Sequence, residues 1–367
     1  MRKSVFYFLV MGSVIISCSD GNDVIAADTD QNNPINNSND NPIDNTNTNW
    51  LIPINDVKDG GPGKDGIPSI DDPVFANATD LEVNFLKDDD LVVGIVKGAE
   101  AKAYPHLILD WHEVVNDKID NSFVTISYCP LTGTAFAWES KVNGAKSTFG
   151  VSGLLYNTNL ILYDRSTDSN WSQIGLQCVN GSRIGDEPVL MDVIETNWGT
   201  WKALYPNTKV LTVNTGFSRS YGNYPYGDYK SNHDFFIFSA SPSNSALPNK
   251  ERVYAIINDE KSKVYQYQKF SEGKAIKEIF NGKQYLIVGN KEVIHAFELN
   301  ESQFDLIFEY NFDSSGAFFS DDEGNKWSAF GKAIAGSRAG QQLKGVKSVV
   351  SFWFAIAAFY PNPTVYN

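Results

Sequence analysis

The chain matches itself. Residues 94–104, G-I-V-K-G-A-E-A-K-A-Y, align without a gap on 255–265, A-I-I-N-D-E-K-S-K-V-Y. Further on, F-A-W-E at 136–139 resembles H-A-F-E at 295–298. Trp171-Ser172 and Trp327-Ser328 each lead into G-S-R-x-G, at 181–185 and 336–340. A Trp stands 13 residues after the last glycine of that motif in both copies (Trp198 and Trp353), and Tyr-Pro-Asn follows seven residues later. Shared spacing over such a length is the signature of structural repeats. It predicts two diverged repeats, 91–212 and 252–367, with a lead-in segment at 51–90 and a Tyr/Gly/Pro-rich linker at 213–251.

Within each repeat, short runs such as L-V-V-G-I-V and F-V-T-I-S-Y lie between turn signals, which reads as strands. One main helix per repeat is expected, at 196–204 and 348–359, each stopped by proline. A short helix at 105–110 also suits Pro105 at its start. The expected fold class is β-rich (α+β).

Before the repeats, Arg2 and Lys3 precede a short apolar run from Val5 to Ile16, which has the form of a secretory signal and is too short to span a bilayer. It ends in Ile15-Ile16-Ser17-Cys18, which resembles a bacterial lipobox. That resemblance implies cleavage after residue 17 and diacylglycerol on the Cys18 thiol. The Asn/Asp-rich stretch at 18–50 has too little apolar surface to fold and reads as a tether. Acidic residues directly after the Cys resemble the surface-export signal of Bacteroidetes lipoproteins. The expected location is therefore the bacterial cell envelope, on the outer membrane, with the bilayer reached through the lipid.

Cleavage would remove two basic residues and no acidic one from a chain of net charge −14, leaving −16. Such a charge argues against nucleic acid as a partner. Lipidation of Cys18 would leave Cys129 and Cys178, as a disulfide or as two buried thiols.

The copies differ in chemistry. The first alone carries W-H-E-V-V-N-D at 111–117, Y-C-P-L-T-G-T-A at 128–135 and Y-D-R at 163–165. Residues kept in both copies are best explained by folding, and the unrepeated ones by function. With Asp120-Asn121 as a hairpin turn, Ile119 pairs with Ser122, Val115 with Ile126, and His112 stands opposite Cys129. One reading makes Cys129 a nucleophile, His112 its base, and Glu113 or Asn116 an orienting group. In the other, Cys129 is a small buried hydrophobe and His112 bonds to backbone. Asp110, His112, Glu113 and Cys129 have the donor types of a Zn or Cu site, but no metal-motif spacing. Arg165, beside Tyr163 and Asp164, either clamps an anion or locks a loop through an ion pair. Trp111, Trp138, Tyr156, Asn157 and Trp171 are expected around a pocket. G-V-S-G at 150–153 lacks a spacer residue of the nucleophile elbow, so a serine hydrolase is rejected.

The D-G-G-P-x-K-D-G-I-P lead, the A-Y-P…W-H-E-V-V-N-D block, Y-C-P-L-T-G-T-A, S-G-L-L-Y-N-T-N-L and Y-D-R-x-T-x-S-x-W-S-Q together resemble domain-of-unknown-function family 3179, exported bacterial proteins and lipoproteins. The resemblance covers nearly all of 51–366 and brings no activity or cofactor with it. Many members read C-P-L-C where this chain has Cys129-Pro130-Leu131-Thr132, so a dithiol that those members would carry is absent here. The resulting expectation is an envelope lipoprotein that binds a small polar or glycan-like ligand in the first repeat. A Cys/His-dependent hydrolase or transferase, and a metal-binding or surface interaction protein, are the alternatives.

Overall fold

A computed structural model describes residues 49–142, 144–313 and 316–367; the expected signal, Cys18 and nearly all of the tether lie outside them. The described residues belong to one compact unit. Its fold is β-rich, with several small sheets and three seven-residue helices, α1 (His106–His112), α2 (Trp198–Leu204) and α3 (Trp353–Phe359).

The element order has an internal rhyme. Leu91–Lys97 and Glu100–Pro105 form an antiparallel pair, flanked by Ile194–Asn197 running antiparallel and Lys209–Leu211 running parallel. Arg252–Asn258 and Lys261–Gln266 are flanked in the same senses by Ser348–Phe352 and Thr364–Val365. Registers keep step as well: Gly94 faces Ala103 and Ile194, while Ala255 faces Val264 and Val349. The meander Val114–Ile119, Ser122–Cys129 and Thr134–Glu139 has a counterpart in Lys274–Phe280, Lys283–Gly289 and Ile294–Glu298.

Strand alternation here buries both faces. Val124, Ile126 and Tyr128 enter one core with Tyr104, Ile108 and Leu109, whereas Cys129 joins Trp138, Phe149 and Trp171 in another. The largest cores are shared between the halves. Val114, Trp138 and Leu162 pack with Val253, Trp353 and Ile356, and Val92 and Trp201 pack with Phe297 and Trp327. The exchange is reciprocal: Ser351 Oγ donates to Thr132 O at 3.3 Å, and Thr196 Oγ1 donates to Glu292 O at 2.9 Å. Tyr360, just past α3, donates to Ile174 O at 2.9 Å.

α2 starts at Trp198, where the Asn197 side chain accepts from Thr200 N at 2.8 Å. It lies very close to its sheet. A Cβ at Gly94 would stand 2.1 Å from the Trp201 ring, so only glycine fits. The helix expected at 348–359 is shorter, because S-V-V-S-F at 348–352 extends as a strand against Arg252–Ile256. β-branched residues at its heart favour that state, and the helix begins only at Trp353. The short helix expected at 105–110 runs from His106 to His112, with Pro105 as its extended cap.

The lead-in closes a sheet edge. Val57–Asp59 pairs with Leu154–Tyr156, and Ile70 bridges to Val115. Residues 212–251 contain no helix or strand and lie across α1 as a strap. Among the described residues, no helix is long and apolar enough to cross a membrane.

Candidate functional site

The 112–129 hairpin forms in the expected register from Ile119↔Ser122 through Val115↔Ile126 to Val114↔Ser127. Then it stops. Glu113 takes φ +57°, a left-handed conformation costly for a residue with a Cβ, and His112 is the last residue of α1. His112 is therefore not opposite Cys129, a correction to the expected pairing.

Both imidazole nitrogens are occupied elsewhere. Nδ1 lies 2.7 Å from Pro68 O and Nε2 lies 2.6 Å from Tyr221 Oη. A carbonyl only accepts, so Nδ1 carries the proton and Nε2 accepts from Tyr221. Burial pushes the His112 pKa down to about 4. This neutral ring ties the lead-in and the strap to α1.

The Cys129 thiol is buried, with Thr158 O at 3.8 Å, and burial, helped by nearby Glu113, pushes its pKa up to about 11. Cys178 is a second free, buried thiol, also pushed up to about 11 by burial. A nucleophilic thiolate needs the opposite environment, an exposed and electropositive one.

Asn116 makes a full set of bonds. Its Nδ2 donates to Asp71 and Phe149 O, and its Oδ1 accepts from Phe149 N and Thr125. Arg165 donates to Asp71 at 3.1 and 3.2 Å, to Ser69 Oγ at 2.8 Å and to Asp65 at 3.4 Å. It locks the lead-in, the second of its two expected roles. Tyr163 donates to Asp65 in the same clamp. Asp164 accepts from Thr167, Ser166 and the Trp171 indole. Burial opposes its charge, but those hydrogen bonds outweigh it and hold the carboxyl below its usual range.

The aromatic walls expected for a pocket are mostly core. Trp138 and Trp171 are buried, and Tyr156 packs edge-on against Phe359 at 5.6 Å. Trp111 donates to Asn223 O of the strap at 3.0 Å. Asn157 pins the strap through Ser241 N at 3.0 Å. The unrepeated Y-C-P-L-T-G-T block and Gln173 meet in a buried network: Asn159 Nδ2 donates to Thr132 Oγ1 and Gln173 Oε1, and Gln173 Nε2 donates to Ser127 Oγ. Every member has partners, so this network specifies the core rather than a reaction.

Two features remain open for function. The first is a cleft of about 320 Å³ at the edge of the hairpin, lined by Asp71, Asp72, Asn116, Lys118, Lys146 and Thr148 among others. Lys146 Nζ lies 4.4 Å from the centroid of the Phe123 ring in its wall. The second was half anticipated, since the sequence singled out Asp110 and Glu113 but not His106 or Glu195. His106, Asp110 and Glu113 share one face of α1 and its end, and Glu195 approaches from Ile194–Asn197. All four are at most 8 % exposed. Burial raises the carboxyls of Asp110 to about 7, Glu113 to about 8 and Glu195 to about 7. The i, i+4 spacing of His106 and Asp110 was a readable signal, though nothing local marks Glu195. Among the described residues, no three His, Cys, Asp or Glu converge to hold a metal.

The molecule is thus a single β-rich body of two interlocked halves, with a polar cleft and a buried acid cluster. It belongs to the family described as a protein of unknown function, DUF3179, whose model matches residues 64–363. No curated protein and no solved structure matches the chain.

Proposed function

We propose that this protein is a ligand-binding lipoprotein of the bacterial cell envelope, anchored to the outer membrane through lipid on Cys18. Its ligand is small and polar or glycan-like, and its site is the cleft beside Asp71 and Asn116. The single observation that carries this reading is the cleft itself. At about 320 Å³ it has the volume of a small-molecule site, and charges of both signs stand beside hydroxyl and amide groups. Its floor is rigid, because Asn116 is bonded on all sides and Arg165 clamps Asp71. Rigid polar walls lower the ordering cost of binding. Binding is favoured over thiol chemistry because His112 and Cys129 each have other partners.

A screen of envelope oligosaccharides and small polar metabolites by thermal shift tests the reading. A true ligand raises Tm in proportion to ln(1 + [L]/Kd), and Asp72→Ala or Lys146→Ala, both at exposed lining positions, weakens that rise. Stabilisation that survives both changes would place the ligand elsewhere. The anchor is tested by metabolic palmitate labelling, expected in the native chain and lost in Cys18→Ser.

A further inference from the structure

The acid cluster under the strap is independent of the cleft and poses its own problem. Arg252 donates to Glu195 Oε1 through Nε at 3.1 Å and Nη2 at 2.9 Å, leaving Oε2 buried without a partner. His106 Nε2 is also buried and unpartnered, 3.7 Å from that oxygen and too far for a hydrogen bond. The Asp110 carboxyl, on the same helix face, has no hydrogen bond either, and Glu113 has only a long one from Tyr226 at 3.4 Å. Buried polar atoms left open in this way call for an occupant.

The chemistry of that occupant follows from what is missing. Three buried carboxyls lie near enough to feel one another, Asp110 with Glu195 and Glu113 with Asp110, while Arg252 is committed to Glu195 and Lys230 stands exposed on the strap. The open carboxylate oxygens accept, and neutral His106 accepts at Nε2 in one tautomer, so the occupant must donate. Asp110, Glu113 and Glu195 can carry three negative charges against two positive ones, Arg252 and Lys230, so the occupant that balances the cluster is a cation. The walls are aromatic: the Tyr128 ring packs on His106 at 4.4 Å, and Lys230 Nζ already lies 4.6 Å above the Tyr224 ring. Aromatic faces favour ammonium and guanidinium groups over a hard metal ion, for which no three-residue group is arranged among the described residues.

We propose that the cluster between α1 and the strap is a binding site for a small organic cation, an ammonium or guanidinium group held by Asp110 and Glu195 against the Tyr128 and Tyr224 rings. The groups that face it are His106 and Asp110 from α1, Glu113 just past its end, and Tyr128 and Cys129 from Ser122–Cys129. Glu195 and Arg252 come from their two strands, Tyr224, Tyr226 and Lys230 from the strap, and Tyr267 from behind Arg252. Binding should tighten as pH rises from 6 to 8, since the cation replaces protons that burial keeps on the carboxyls.

The test is calorimetric titration of the full chain with methylguanidinium and ethylammonium chloride, at pH 6 and pH 8. Sodium chloride, acetamide, calcium and zinc serve as controls. Saturable binding of at least one organic cation, tighter at pH 8 and accompanied by release of protons to bulk, is the expected result. Asp110→Asn, which removes charge from a group with no hydrogen bond to lose, should weaken it about tenfold or more. Lys230→Gln, at an exposed position, should tighten it by removing the resident cation. Binding no different from sodium chloride or acetamide overturns the proposal, as does calcium or zinc binding with the organic cations inert. Retention of affinity in Asp110→Asn, or weaker binding in Lys230→Gln, overturns it equally. Glycan binding in the cleft would be untouched by either variant, so the two sites fail or stand separately.

Discussion

At the scale of the residue, this protein is governed by buried groups whose charge is suppressed. His112 and the acid cluster act on stability with opposite signs. The unfolded chain takes up the His112 proton near pH 6.5, whereas the folded chain resists until about 4. Between those values the unfolded state binds more protons, so stability falls as pH falls. Asp110, Glu113 and Glu195 hold protons in the folded state that the unfolded chain has already released. Their contribution is present near pH 4 and is lost as pH rises towards 8. Three carboxyls outweigh one imidazole, so urea unfolding should show the contribution of these four groups falling as pH rises from 5 to 8. Asp110→Asn should raise stability by on the order of 2–4 kcal/mol at pH 8.5, with the gain vanishing near pH 5. A gain independent of pH would show that Asp110 is not the titrating group. His112→Gln should steepen that fall below about pH 6.5 and leave it unchanged above. The thiols give a second check. Buried and pushed up to about 11, Cys129 and Cys178 should both resist iodoacetamide at pH 8 until denaturant is added. Fast native labelling of Cys129 would revive thiol chemistry.

At the scale of the element, a tight turn tied to a tryptophan recurs. The Trp171 indole donates to Asp164 at 3.0 Å, and the Trp327 indole donates to Asp321 at 2.9 Å. Around each, a glycine passes so close that a Cβ would clash: Gly181 at Ser169, and Gly336 at Asn325. Asp164→Ala and Asp321→Ala should each cost about 2 kcal/mol or more, since both strand a buried indole N–H and unfasten a turn. Denaturant midpoints measure this, and a neutral result at either site would remove the shared role. The hairpin before these turns shows how far local reading reaches. Asp120-Asn121 placed Val115 opposite Ile126 correctly, because turn chemistry sets register. Two residues further on, Glu113 turns left-handed and His112 joins a helix, which no local pattern signals. Likewise the apolar run at 348–359 was readable as buried, but its division into a strand and then a helix depended on a partner strand at 252–256.

At the scale of the whole molecule, the halves repeat each other's pairings and share the two largest cores, while each keeps one smaller core of its own. Arg252 and Glu195 tie the halves directly at 2.9 Å. Arg252→Gln should destabilise by about 3 kcal/mol at pH 8, and by much less at pH 5, where Glu195 is protonated and needs no partner. A deficit equal at both values would mean that packing of the Arg stem is what matters. The strap at 212–251 belongs to this scale too, with Tyr221 on His112, Tyr224 on Pro130 and Tyr226 on Glu113.

Local reading of the chain reached the β-rich class and the hairpin register, because turn residues and alternation act over a few residues. It also ranked the unrepeated block as special, though most of that block is scaffold: Asn116, Asp164 and Arg165 are consumed by local bonds. Which polar groups stay unmet was decided only when distant segments packed together. Glu195 reaches His106 from 89 positions away, and Arg252 from the other half occupies one carboxylate oxygen while leaving the second open. Satisfaction of a buried group is a property of its surroundings, and those surroundings exist only in the folded chain.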